Sequence, residues 1–174
     1  MFSDARERTG SPVVPFDPDR PAVEAARRDP LRFETLYRRY VAQIYGFALY
    51  ETRDHHAAED LTEQVFMQAL AALPTVHAKL SFIPTGSAEE YPFRDMHPPC
   101  LDVIKAFGPE RCVWGSDFPC ELWCPKVTYA KHLRIFTHEL GLDAATKRQI
   151  LCETPRKLGF GDRKSTRLNS SHRT

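Results

Sequence analysis

In this 174-residue chain the side chain best placed for chemistry is Asp117. It follows the apolar run at 111–115 (RCVWG) inside Trp114-Gly115-Ser116-Asp117-Phe118-Pro119. A short apolar run suits a buried strand. A carboxylate at the end of such a strand can hold a divalent cation, or act as base on bound water. A Ser-Asp pair can also serve as a turn or a helix cap. One carboxylate does not make a metal centre, because zinc-type sites need about three protein ligands. The chain has no His-x-His. His55-His56 fall at a helix start, and His77 points opposite to Val76 and Ala78. His97 begins a helix beside two prolines. His132 and His138 are six apart, too far round a helix to share a face. His138-Glu139 lacks the spaced second histidine of a metalloprotease motif. Cys120 and Cys124 have no second pair at zinc-finger spacing and read as ordinary thiols. A second polar group is the stripe Glu59, Asp60, Glu63 and Gln64, suited either to solvent or to a basic partner helix.

The elements that must position these groups follow from spacing. Asp29-Pro30 is a helix start, with Asp as cap and Pro at the first position. Phe33, Leu36, Tyr37, Tyr40, Ile44, Phe47 and Ala48 mark one stripe of a helix over about 30–51. Asp54 caps a second helix, with an inner face of Ala58, Leu61, Val65, Ala69, Leu70 and Leu73, stopped by Pro74. The two form an antiparallel hairpin. Beyond Pro74 the period changes to two: Val76, Ala78 and Leu80 alternate with His77, Lys79 and Ser81, a strand. A long loop is predicted over 84–95, a helix over 98–107 ending at Gly108, and the strand 111–115. A helix marked by Tyr129, Leu133, Phe136 and Leu140 ends at Gly141, and Asp143 caps another over 144–153. A last short turn starts at Thr154-Pro155. Strand, loop, helix, strand, helix implies parallel strands with crossover helices.

The spacing therefore predicts a mixed fold: an N-terminal all-α hairpin and a C-terminal partial α/β part of two βα units. Its divisions are a disordered, short-helix lead-in over 1–28, the hairpin over 29–74, the α/β part over 75–160 and a disordered tail over 161–174. Hydrophobic content of 42%, charged content of 27% and a net charge of +1 describe an ordinary globular chain without a global field toward nucleic acid or membrane. No apolar run approaches a membrane span. Five cysteines, an odd count, and no secretory signal point to a reducing, cytoplasmic setting.

The stretch 33–74 resembles region 2 of sigma-70-type factors of the extracytoplasmic-function class. The resemblance rests on Phe33, Leu36, Tyr37 and Tyr40 and on the run Ala58-Glu59-Asp60-Leu61-Thr62-Glu63-Gln64-Val65-Phe66. It implies docking on the large subunit of bacterial RNA polymerase through 54–73, with Glu59, Asp60, Thr62, Gln64 and Phe66 as contacts. After Thr62 the family has Gln then Glu, whereas this chain has Glu63 then Gln64. The basic, aromatic helix that reads promoter DNA has no counterpart here, so sequence-specific DNA binding is not expected.

Residues 75–160 resemble the C-terminal end of the amidohydrolase-related family, on VHAKLS at 76–81, FGPERCVWGSDFP at 107–119, HLRIFTHELGL at 132–142 and KRQIL at 147–151. The resemblance implies the end of a (β/α)₈ barrel. It also implies hydrolysis or decarboxylation of a small molecule, a divalent metal (Zn or Mn), and Asp117 as metal ligand or proton acceptor. With the partner histidines missing, the chain is expected to hold no metal and to be inactive. The tail DRKSTRLNSSH at 162–172 resembles a translated sequencing adapter, which supports an artificial junction near 73–76.

Overall fold

A computed structural model describes residues 17–117, 119 and 124–160. The first sixteen residues of the lead-in expected over 1–28, the tail from 161, and Cys120 all lie outside the described residues. The chain is mostly helical around a two-stranded parallel sheet, as the mixed reading anticipated at that coarse level.

Helix α1 (Arg20–Arg28) carries proline in its first turn and Arg27 and Arg28 in its last, where cations oppose the negative dipole end. Asp29 accepts a hydrogen bond from the Leu31 amide (3.1 Å) and caps a short 3₁₀ turn, Pro30–Arg32, rather than the α-helix itself. Helix α2 (Phe33–Thr52) begins only after that turn, because the proline-led segment tightens first. Arg53, at φ 54°, ends it in the left-handed conformation. Asp54 then caps α3 (His55–Ala71), its carboxylate accepting from the Ala57 amide at 2.8 Å.

The buried face of α3 differs from the sequence expectation. Leu61 and Val65 are 41% and 46% exposed, while Thr62 and Phe66 are each only 9% exposed. The stripe against α2 is Ala58, Thr62 and Phe66, spaced i, i+4, i+8. Phe66 meets Tyr37 (4.7 Å between ring centroids) and Phe33 (6.3 Å), and Thr62 satisfies its hydroxyl on the Ala58 carbonyl at 2.7 Å. On α2, Phe47 is exposed rather than buried.

Strand β1 (Ala78–Leu80) is shorter than the alternating run. The segment read as loop holds a helical turn, α4 (Ile83–Gly86), and a 3₁₀ turn at Arg94–Met96. Helix α5 (His97–Phe107) has proline in its first turn and ends at Gly108, whose φ of 78° requires glycine. Strand β2 (Cys112–Trp114) pairs in parallel with β1, placing Ala78 beside Cys112, Lys79 beside Val113 and Leu80 beside Trp114. Helix α6 (Tyr129–Arg134) runs on into a π-helical turn, Ile135–Glu139, and Gly141 follows at φ 66°. Asp143 caps α7 (Ala144–Arg148), which continues through Gln149–Glu153 into α8 (Thr154–Lys157).

The core lies between the sheet and its helices: Leu80, Ile83, Phe93, Cys100, Cys112, Val127, Ile135, Phe136 and Ile150 are all essentially closed to solvent. Ala71 belongs to the same cluster, with Met67 and Leu70 packed against it, so α3 is joined to the α/β part through its last two turns. Among the described residues no helix is long and apolar enough to cross a membrane.

Candidate active site at the strand ends

Asp117 stands three residues past Trp114, beyond the carboxyl end of β2. Its φ is 50°, a left-handed conformation that Asp tolerates better than most residues. That bend turns the chain off the strand and leaves the carboxylate partly exposed.

Two side chains from β1 and its end reach this carboxylate. The Lys79 ammonium donates to Oδ1 and forms an ion pair with it. Ser81, just past the end of β1, lies near enough to the carboxylate to favour its ionised form. Lys79 and Ser81 are two apart, so the strand's period puts them on one face. The lysine stem reaches Asp117 by crossing Gly115. A Cβ at Gly115 would lie 2.4 Å from Lys79 Cε and 3.3 Å from Cγ, so the lysine stem lies directly over this glycine and would have to shift to admit a side chain. Partial burial works to raise the Asp117 pKa. The Lys79 hydrogen bond and charge, helped by Ser81, outweigh it and hold the carboxyl below its ordinary value.

Below Asp117 sits His132, on α6 and 1% exposed. Its ring lies against Trp114 (5.7 Å) and Phe136 (6.1 Å). Burial pushes its pKa down, further than the Ser116 carbonyl and the Asp117 charge pull it up, so the neutral imidazole is favoured. That carbonyl is near enough to favour a ring proton, yet neither ring nitrogen meets a partner at ordinary hydrogen-bond geometry; the same holds for Trp114 Nε1. His132 therefore feels the Asp117 charge from a closed position packed against Trp114 and Phe136.

These groups do not fit a divalent metal. Among the described residues no group of three or more His, Cys, Asp or Glu side chains could hold one. The Asp117 carboxylate is already matched by an ammonium, and His132 is enclosed in the core. His77 is exposed with Nδ1 beside the Thr75 carbonyl (3.2 Å), and His97 Nε2 lies 2.8 Å from the Pro92 carbonyl. His55 contacts the Tyr45 hydroxyl at 2.8 Å and His56 lies 3.7 Å from Glu59. What the strand ends bring together is an ionised carboxylate, an ammonium and a hydroxyl.

The second set of predicted site residues lies on α3. Glu59, Asp60 and Gln64 are exposed, whereas Thr62 and Phe66 are buried against α2. Beside them an open apolar groove of about 550 Å³ is lined by Tyr37, Val41 and Tyr45 of α2, Phe66 and Leu70 of α3, and Phe107.

Lys79, Ser81 and His132 escaped the sequence reading as site residues. The first two carried a usable signal, since the alternation that defined β1 put both on its polar face. His132 carried none, because its place depends on where α6 packs.

Comparison with known proteins adds the following. The family model described as Amidohydrolase matches residues 52–158. The match begins before α3, within the stretch that resembles a sigma factor. The L-fucono-1,5-lactonase of Burkholderia ambifaria is 32% identical over 111 residues, 57% of this chain and 38% of that protein. The chain thus spans under two fifths of the length of this curated relative. No solved structure matches.

Proposed function

Since the chain belongs to the amidohydrolase family, we propose that it carries the terminal strand–helix portion of a hydrolase acting on a small molecule, with Asp117 as the carboxylate that orients and deprotonates the attacking water. A lactone of a sugar acid is the substrate class that the lactonase relative suggests. The observation that carries the reading is the position of Asp117, ionised and partly open just beyond the carboxyl end of β2, where barrel enzymes of this kind work.

The chain by itself is inactive in this reading. A general base is most effective with a pKa near the working pH, and contributes about 10²–10⁴-fold. Asp117 is held below the ordinary carboxylate range, so it orients water better than it deprotonates it. Among the described residues no group of ligands would hold a metal beside Asp117.

The test is hydrolysis of an aldono-1,5-lactone by the purified chain and by Asp117→Asn, with metal analysis of both. Turnover at the level of buffer, with no stoichiometric Zn or Mn, is expected. Turnover that vanishes in Asp117→Asn would overturn the inactivity. Turnover indifferent to that change would overturn the role of Asp117.

A second reading has one observation in its favour: Glu59, Asp60, Glu63 and Gln64 are all exposed along α3. In it, the hairpin is a sigma-factor piece that docks on RNA polymerase, joined to the hydrolase portion near 73–76. Labelled chain titrated with bacterial core polymerase separates the two, since only this reading expects binding that Glu59→Lys removes. Resequencing source DNA across codons 70–78 tests the junction.

A further inference from the structure

We propose that Lys79 is the positioning residue of Asp117: threaded across Gly115, its ammonium fixes the carboxylate at the strand end and neutralises the charge that would otherwise attract a cation. The importance given to Asp117 rests on the hydrolase reading above; the pairing itself rests on geometry alone.

Three observations converge. Lys79 lies beside Val113 in the parallel register, so its side chain must run along the sheet to reach a residue past the end of β2. Gly115 lies under that path, and the lysine stem packs over it within 2.4 Å of where a Cβ would stand. Ser81, two residues on from Lys79 and so on the same face, lies beside the carboxylate as well.

The purpose of the pair is orientation rather than stability. Lys79 and Asp117 side chains are 57% and 26% exposed, and ion pairs this open contribute little to folding. Their contact does hold the carboxylate in one pose and neutralises it. A divalent ion approaching Asp117 must displace the ammonium first, and no cluster of further ligands among the described residues repays that displacement.

The test uses the full chain and NMR. In wild type, one lysine ammonium resonance should stand apart and exchange slowly with water, and it should merge with the rest in Asp117→Asn. With added Mn²⁺, the Ser116 and Asp117 amides of Lys79→Met should broaden at about three- to fivefold lower concentration than in wild type, the scale of an exposed ion pair. Lys79→Arg should restore the protection. Asp117→Asn added to Lys79→Met should abolish the broadening. Equal broadening in wild type and Lys79→Met, or no distinct ammonium signal in wild type, overturns the proposal. If Lys79→Met does not fold, the ammonium comparison between wild type and Asp117→Asn decides. Failure of the hydrolase reading would leave both NMR results unchanged, whereas failure of the pairing would leave the lactone assay unchanged.

Discussion

Arg111 Nη1 donates to the backbone carbonyls of Ala71 (2.8 Å) and Leu73 (3.0 Å), closing the C-terminal end of α3 from the residue just before β2. Its Nε donates to the Phe107 carbonyl at 2.9 Å, so one guanidinium caps α3 and α5 together. Both helix ends carry negative dipole charge and carbonyls without intrahelical partners. The hairpin and the α/β part are therefore tied across residue 74 by a charged group as well as by Met67, Leu70 and Ala71 in the core cluster. Arg111→Met keeps most of the stem but loses all three bonds. It should cost about 2 kcal/mol, read as a lower urea midpoint by circular dichroism. Arg111→Lys should recover only part, since one ammonium cannot span three carbonyls set by a planar fork. A midpoint unchanged in Arg111→Met would show that the cap contributes nothing.

Truncations on α3 should separate the observed buried stripe from the one its hydrophobicity suggests. Phe66→Ala removes a ring held between Tyr37 and Phe33 and should cost about 3 kcal/mol. Leu61→Ala and Val65→Ala act at positions more than two fifths exposed, and each should change stability by less than about 0.5 kcal/mol. Thermal melts of the three variants suffice. A larger loss in Leu61→Ala than in Phe66→Ala would mean that α3 is rotated from the pose described.

That contrast shows what was legible beforehand. Helix ends were readable because their causes are local: Asp54 and Asp143 each cap the helix that follows, and Gly108 ends α5. The face that α3 buries was not, because it is chosen by α2. Thr62 hides its hydroxyl on its own helix, so a polar residue occupies a buried position that composition assigns to Leu61. At the site, the place of Asp117 beyond a strand could be read from the apolar run before it. Its pairing with Lys79 could not, since the two are 38 residues apart and meet only through the parallel register of β1 and β2.

Acid should weaken the chain through its capping carboxylates. The Ala57 amide holds the Asp54 carboxyl below its ordinary value, and the Thr146 amide does the same for Asp143. For Asp95 the largest cause is the Ser87 hydroxyl. Each group has a folded pKa depressed below its unfolded one. Its contribution is therefore present above the unfolded value, near ~4, and is lost as pH falls through the folded value. Urea midpoints should hold level from neutral pH to about 5 and decline below ~4. In Asp54→Asn the decline should be shallower, because asparagine still caps but does not titrate. A decline as steep as in wild type would remove Asp54 from the account.

The cysteines should divide by reactivity as they divide by burial. Cys100 and Cys112 are fully enclosed, and burial, reinforced at Cys100 by Cys112 and at Cys112 mainly by Glu110, pushes each thiol up to about 12. An ordinary thiol ionises near ~8.5, so at neutral pH these two present roughly a thousandfold less thiolate, quite apart from their inaccessibility. Cys152 is exposed at the surface of the last helical segment. Brief treatment with iodoacetamide near neutral pH, followed by peptide mass spectrometry, should find Cys152 modified and Cys100 and Cys112 intact. In urea above the unfolding midpoint all three should react alike. Early labelling of Cys112 in native protein would mean that β2 opens readily from the core, and with it the strand end on which Asp117 and Lys79 meet.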